Sequence, residues 1–196
     1  SSQIARLSST QLQALTTVQV GALSSTQLNA ISAANLATLT TAQIDALSTA
    51  QVTNLATAGV AALSTAQIRA LNTAQVDALT SGQMAALTTA QVAALATDQI
   101  SRLTATQLNA IPTAGVVALS SDQIVALSSA QVAALSTRQF SSIESGDIAA
   151  MTSLQVPHVT NAQLEALSSA QLQAIDTDQV PVLTITQLAA LSTGQY

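Results

Sequence analysis

The sequence predicts an all-α solenoid: a superhelix of short capped helices, one for each eight-residue repeat. Three observations predict it. The stretch from Ala86 to Leu95, A-L-T-T-A-Q-V-A-A-L, carries both N-terminal signals of a helix. Thr88 with Gln91 three positions on makes a capping box, and Leu87 with Val92 makes a hydrophobic staple. The same signals return every eight residues from Ser1 to Tyr196 with no insertion or deletion. Finally, the composition supplies an aliphatic core and little else, being 48% hydrophobic but only 1% aromatic and 7% charged.

The repeat positions run in register along the chain. A large apolar residue recurs at Leu7, Leu15, Leu23, Ile31, Leu39 and Leu47, and onward to Leu183 and Leu191. The capping residue follows it at Ser8, Thr16, Ser24, Ser32, Thr40 and Ser48. Gln11, Gln19, Gln27, Asn35, Gln43 and Gln51 come three positions later, each followed by a second apolar residue such as Leu12, Val20 or Ile44. Ala usually precedes the Leu, which leaves room for coils to approach closely.

A continuous helix is excluded by the period. Eight residues advance a straight helix by roughly 800°, about 80° beyond two turns, so the apolar stripe would wind around the rod. Coiled-coil seams need repeats of seven or eleven. A β-solenoid is the alternative fold, favoured by the Thr, Val and Ile content. Against it, the apolar positions alternate spacings of five and three, whereas a strand needs even spacing. A sharp bend at each Ser/Thr between helices of about six or seven residues fits best, and such helices persist only when stacked.

The departures test this scheme in chain order. Asn72 and Asp176 are good caps, while Ala56, Ala96 and Glu144 are weaker ones. Gly59 and Gly115 remove the glutamine half of the box, and Pro112 stands at a cap where a lost amide matters little. The segment from Phe140 to Val159, with Glu144, Asp147, Met151, Pro157 and His158, is expected to pack loosely or bend. Pro157 and Pro181 fall inside helices and should shorten them. They lie three repeats apart, which would suit three units per superhelical turn, but two prolines do not establish a period. Residues 1–196 read as a single octapeptide-repeat solenoid without polar capping units, and so as a fragment of a longer array or a designed one.

Composition also narrows function. Four basic residues and a net charge of −5 do not suit nucleic acid, no apolar run spans a membrane, and there is no cysteine. No residue carries a catalytic, cofactor-binding or metal-ligating role on sequence grounds, and no cofactor is implied. His158 has no distinguished nucleophile; it reads as a substitution at the Ala position. Asp176 and Asp178 lack the further carboxylates and Gly of a calcium loop and read as a cap and a first-turn acid; Asp98 and Asp122 are first-turn acids too. Glu144 and Asp147 read as an acidic variant of the capping box. The Gln row is accounted for by capping, with a binding ladder as the alternative. Paired hydroxyls such as Thr16 and Thr17 or Thr88 and Thr89 would form rows able to meet ice or glycans.

The string A-L-[ST]-[ST]-A-Q-[VIL], as at Ala46 to Val52 and Ala126 to Val132, resembles octapeptide arrays of large bacterial secreted or surface proteins of the adhesin or RTX-like type. The resemblance covers essentially the whole chain and implies export with a spacer or adhesive role. The Gly- and Asp-rich calcium nonapeptides of RTX proteins are absent. The function expected is therefore a non-enzymatic stalk, spacer or scaffold at the cell surface or outside the cell. The alternative is a binding module for peptide, glycan or ice. The expected partners are flanking repeats or another copy, end to end.

Overall fold

The computed structural model describes residues 3–191; Tyr196, one of the two aromatic residues, lies outside them. Among the described residues every regular element is helical and no strand occurs. The α-helices are short, from the four residues of Ser25–Leu28 to the seven of Ile185–Leu191. Many are shorter than the spacing suggests, because the Ala before the Leu often serves as the C-cap, as Ala78 does after Thr73–Asp77.

Each corner is made by two extended residues. Leu87 (φ −62°, ψ 135°) leaves one helix and Thr88 (φ −73°, ψ 160°) opens the next. Such angles suit any L-residue. Among the described residues there is no positive φ and no cis peptide, so the chain bends repeatedly without glycine. Pro112 fits the same corner at φ −57°, which its ring already favours.

Every helix in the middle of the stack packs on those three units away. Thr89–Ala94 lies between Thr65–Ala70 and Thr113–Val117, and Thr97–Arg102 lies between Thr73–Asp77 and Ser121–Ala126. Three eight-residue units therefore complete one superhelical turn of 24 residues, the spacing of Pro157 and Pro181. The two apolar residues of each repeat, for example Val92 and Leu95 or Ile100 and Leu103, join one aliphatic cluster that follows the stack from Leu12 to Leu167. Exposure has the same eight-residue period: the cap, the two residues after it and the residue after the second apolar position mostly face solvent.

The two internal prolines do what their chemistry requires. Val156–His158 and Val180–Val182 are 3₁₀ turns, since Pro157 and Pro181 have no N–H to continue an α-helix. The segment from Phe140 to Val159 keeps the register. Phe140 is fully buried, and a small apolar cavity of ≈ 20 Å³ lies beside it, lined by Ile148, Met151, Val156, Leu164 and Leu167 among others. The cavity reaches beyond that segment to Ile175 and Leu183, and Ile143, Ile148, Met151 and Val156 are as buried as the apolar residues elsewhere in the stack.

Because solenoid stability is shared between neighbouring turns, Leu95→Asp should not act locally. Loss of about 3–5 kcal/mol is expected, from lost apolar packing and a buried unpaired charge. Hydrogen exchange should show deprotection of Thr65–Ala70 and Thr113–Val117 as well as Thr89–Ala94; an effect confined to Thr89–Ala94 would count against stacking.

Candidate functional site

A helix of five residues is nearly all ends. Its first amides and last carbonyls have no partner within the helix. The cap hydroxyl and the glutamine share the N-terminal amides between them. Gln91 N–H donates to Thr88 Oγ1 at 3.2 Å, and Thr88 N–H donates to Gln91 Oε1 at 2.8 Å. The box forms in the same way at Ser48, Thr104, Ser128 and Thr160.

The glutamine amide does more. Gln91 Nε2 donates to Val60 O at 2.9 Å and to Leu63 O at 2.7 Å, carbonyls at a helix end in the preceding superhelical turn. Gln67 reaches Leu36 O and Leu39 O, Gln107 reaches Val76 O and Leu79 O, and Gln187 reaches Val156 O and Val159 O. These side chains are buried; Gln91 is 2% exposed. One carboxamide thus spends its oxygen on the amide orphaned at its own helix start, and its N–H groups on carbonyls at a helix end in the turn before. Both of its donors and its acceptor oxygen are used. This arrangement locks one turn to the next.

The lock explains a choice that capping leaves open. A capping box accepts Glu as readily as Gln. Glu never stands at this position in the chain, and a carboxylate has no N–H for the carbonyls of the preceding turn. That uniform preference is the sequence signal for the lock, and it is invisible when the glutamines are read as caps alone. Burial also removes the locked Gln row from any exposed binding ladder.

The exceptions follow the same chemistry. Asn35, one methylene shorter, reaches Leu7 O at 3.3 Å. Ala96 has no hydroxyl, yet its N–H still donates to Gln99 Oε1 at 2.8 Å, and Gln99 still locks to Ile68 O and Leu71 O. Pro112 has no N–H to offer and Gly115 no side-chain oxygen to receive it, so the two substitutions match. Asp176 Oδ1 accepts from the N–H groups of Asp178 and Gln179, which makes it a cap, as its sequence position indicates.

Glu144 and Asp147 correct the sequence reading. They form no capping box: Glu144 makes no side-chain cap bond, and Asp147, 7% exposed, accepts instead from Ser121 Oγ at 2.6 Å in the preceding turn. The aspartate side chain is shorter than that of Gln and, when ionised, carries no donor.

A second set of bonds joins turns on the outside. Asn109 Nδ2 donates to Ala134 O at 2.7 Å, and its Oδ1 accepts from Ser136 N–H at 3.0 Å. Thr53 Oγ1 donates to Ala78 O at 2.9 Å. Arg102 pairs with Asp77 across the same gap; the hydrogen bond and then the charge of Asp77 raise the guanidinium pKa above its ordinary value. His158 is exposed at the Ala position. The cap hydroxyls accept backbone bonds, while the second hydroxyl residues Thr17, Thr41 and Thr89 are exposed. Among the described residues no group of three His, Asp or Glu is placed to hold a metal, and no helix is long and apolar enough to cross a membrane.

Fold and lock together define a tandem-repeat α-solenoid with three short helices per turn. A family model described as the ALTTAQ repeat matches residues 25–57, 54–89, 105–137 and 156–193, and the chain belongs to that family. The comparison with curated proteins gave no match.

Two substitutions separate capping from locking. Gln91→Ala should cost about 2–4 kcal/mol, from unsatisfied carbonyls and a lost cap bond. Gln91→Glu keeps the cap acceptor but faces the carbonyls with a carboxylate. It should be at least as damaging near neutral pH and partly recover in acid, since a buried acid whose pKa is raised on folding stabilises the fold when protonated and loses that benefit as pH rises. Urea melts at two pH values check this. Conversely, Glu144→Ser with Asp147→Gln should rebuild the missing lock and add about 1–2 kcal/mol.

Proposed function

We propose that the chain is a non-enzymatic structural segment, a stalk, spacer or scaffold, of a bacterial surface or secreted protein. The observation that carries this reading is the lock itself. From Gln43 to Gln187 the polar side chain that repeats at the regular corners is buried and bonded within the stack. The polar chemistry of the repeat is directed inward, to hold one turn on the next. What faces solvent is mostly small Ser, Thr and Ala, with scattered charges.

A stack in which each turn contacts only its neighbours lengthens by addition and transmits load along its axis. Surface display is supported by the likeness of the A-L-[ST]-[ST]-A-Q-[VIL] string to exported arrays. The exposed second hydroxyls, as at Thr41 and Thr89, support a subsidiary adhesive role toward glycans or ice.

Two measurements test the proposal. In single-molecule pulling, a stack held by locks between turns should lengthen in steps of about 80 Å or multiples of it, one turn of chain extended at roughly 3.3–3.6 Å per residue. A single all-or-none event would argue against a turn-by-turn spacer. Fractionation of cells expressing the protein that carries this segment should find it at the surface or in the medium; confinement to the cytosol would refute the surface role.

A further inference from the structure

At one corner of the stack the glutamine is missing while the groups it would bond are all in place. Ala56 and Gly59 stand where regular corners carry the hydroxyl cap and the glutamine. The corner at Ser136 shows what this one lacks. There Ser136 N–H donates to both Asn109 Oδ1 at 3.0 Å and Gln139 Oε1 at 3.2 Å, while Gln139 Nε2 holds Leu108 O at 2.8 Å and Ile111 O at 3.0 Å. At Ala56 the asparagine half is the same: Ala56 N–H donates to Asn29 Oδ1 at 2.7 Å, and Asn29 Nδ2 donates to Asn54 O at 2.7 Å. The glutamine half is bare. By the spacing at Gln139, an amide at position 59 would take Leu28 O and Ile31 O. Among the described residues Leu28 O accepts the Ile31 N–H, as Leu108 O accepts the Ile111 N–H, and no donor is found on Ile31 O. A cleft of ≈ 260 Å³ opens between the two turns here, walled by Ala30, Ile31, Ser32, Ala33, Ala58 and Gly59 among others. The corners at Gly115 and Asp147 lack the glutamine differently. Pro112 has no N–H to offer a carboxamide oxygen, and the buried side chain of Asp147 stands in its own corner.

We infer that this cleft binds the glutamine side chain of a partner polypeptide, seated as the chain's own glutamines are at intact corners. Two carbonyl acceptors and one N–H donor converge on the same place. A carboxylate brings no donor to the carbonyls, and an ammonium or guanidinium brings no acceptor to the Ala56 amide. A primary carboxamide carries two donors and an acceptor on one flat head, so it meets all three groups. The bond from Asn29 is no obstacle, since Ser136 N–H serves an asparagine and a glutamine together. Beyond the polar groups the walls are alanines and Ile31, apolar surface suited to the methylene stem and to small residues beside it. The site goes beyond the role of a spacer: it holds another chain by the bonds that hold one turn on the next.

The deciding experiment is an amide-resolved NMR titration of the chain with four probes: the pentapeptide acetyl-Ala-Ala-Gln-Ala-Ala-amide, its counterparts with glutamate or methionine at the centre, and acetamide. The glutamine peptide should shift Ile31, Ser32, Ala56 and Gly59 saturably, with a Kd on the order of 1 mM. The other two peptides should bind at least about tenfold more weakly, and so should acetamide, which has the head without the stem. Gly59→Gln puts the chain's own carboxamide into the cleft and should abolish the shifts. The Cβ it adds lies 3.1 and 3.3 Å from side-chain carbons of Leu36 and Leu55, which can give way. Ala33→Leu, an exposed change that narrows the cleft without touching the corner, should weaken binding at least about tenfold. No saturable shift with the glutamine peptide, an equal response to the glutamate or methionine peptide, acetamide binding as tightly as the peptide, or unchanged binding in either variant would each overturn the inference.

Discussion

The structure depends on one donor: the side-chain amide nitrogen of glutamine, reaching a pair of helix-end carbonyls one superhelical turn away. Helices of four to seven residues have no independent stability, because nucleation fixes several residues for each hydrogen bond gained. They persist here since each end finds its partner nearby, the amides from the cap and the carbonyls from the glutamine of the following turn. Apolar burial supplies most of the driving force but has no direction. Rows of Leu, Val and Ile along a central axis would tolerate sliding or rotation. Bonds of 2.7 and 2.9 Å at Gln91 do not, and the same pair of acceptor positions recurs at Gln75 and Gln83. The aliphatic rows make the stack stable, and the amides give it a register.

That division of labour explains the composition. A surface built on Ser, Thr and Ala needs few charges, because specificity is carried inside. The core needs no ring, because the narrow axis is filled by Leu, Ile and Val; where Phe140 enters, a small cavity lies beside it. Substitutions are tolerated when donor and acceptor disappear together, as at Pro112 and Gly115, or when another turn supplies the missing group, as Asn29 does for Ala56. The exposed ion pair of Arg102 and Asp77 adds little, being screened by solvent.

Local structure is legible in the sequence because it depends on residues only a few positions apart. The cap and its Gln, at Thr88 and Gln91 or Ser128 and Gln131, announce helix starts directly. The effect of Pro157 and Pro181 follows from ring chemistry, and their separation already matches the superhelical period. The lock is less legible. Its partners lie 28 and 31 residues before Gln91, and nothing within a single repeat reveals the number of units per turn. Asp147 shows the limit of pattern matching: its position suggests a box, while its shorter side chain turns to Ser121. The bond that serves the Ala56 amide comes from Asn29, 27 residues before it, and no local motif marks it.

Three units to a turn sets a rule for how such an array can change its length. Gain or loss of a single octapeptide preserves cap, lock and aliphatic axis, yet it swings everything downstream by a third of a turn. Asp98 and Asp122, which share one side of the stack because they lie 24 residues apart, would then part company. Only whole turns can be duplicated or deleted without redrawing the outer faces, so the scaffold is indifferent to eight-residue steps while any pattern displayed on it is not.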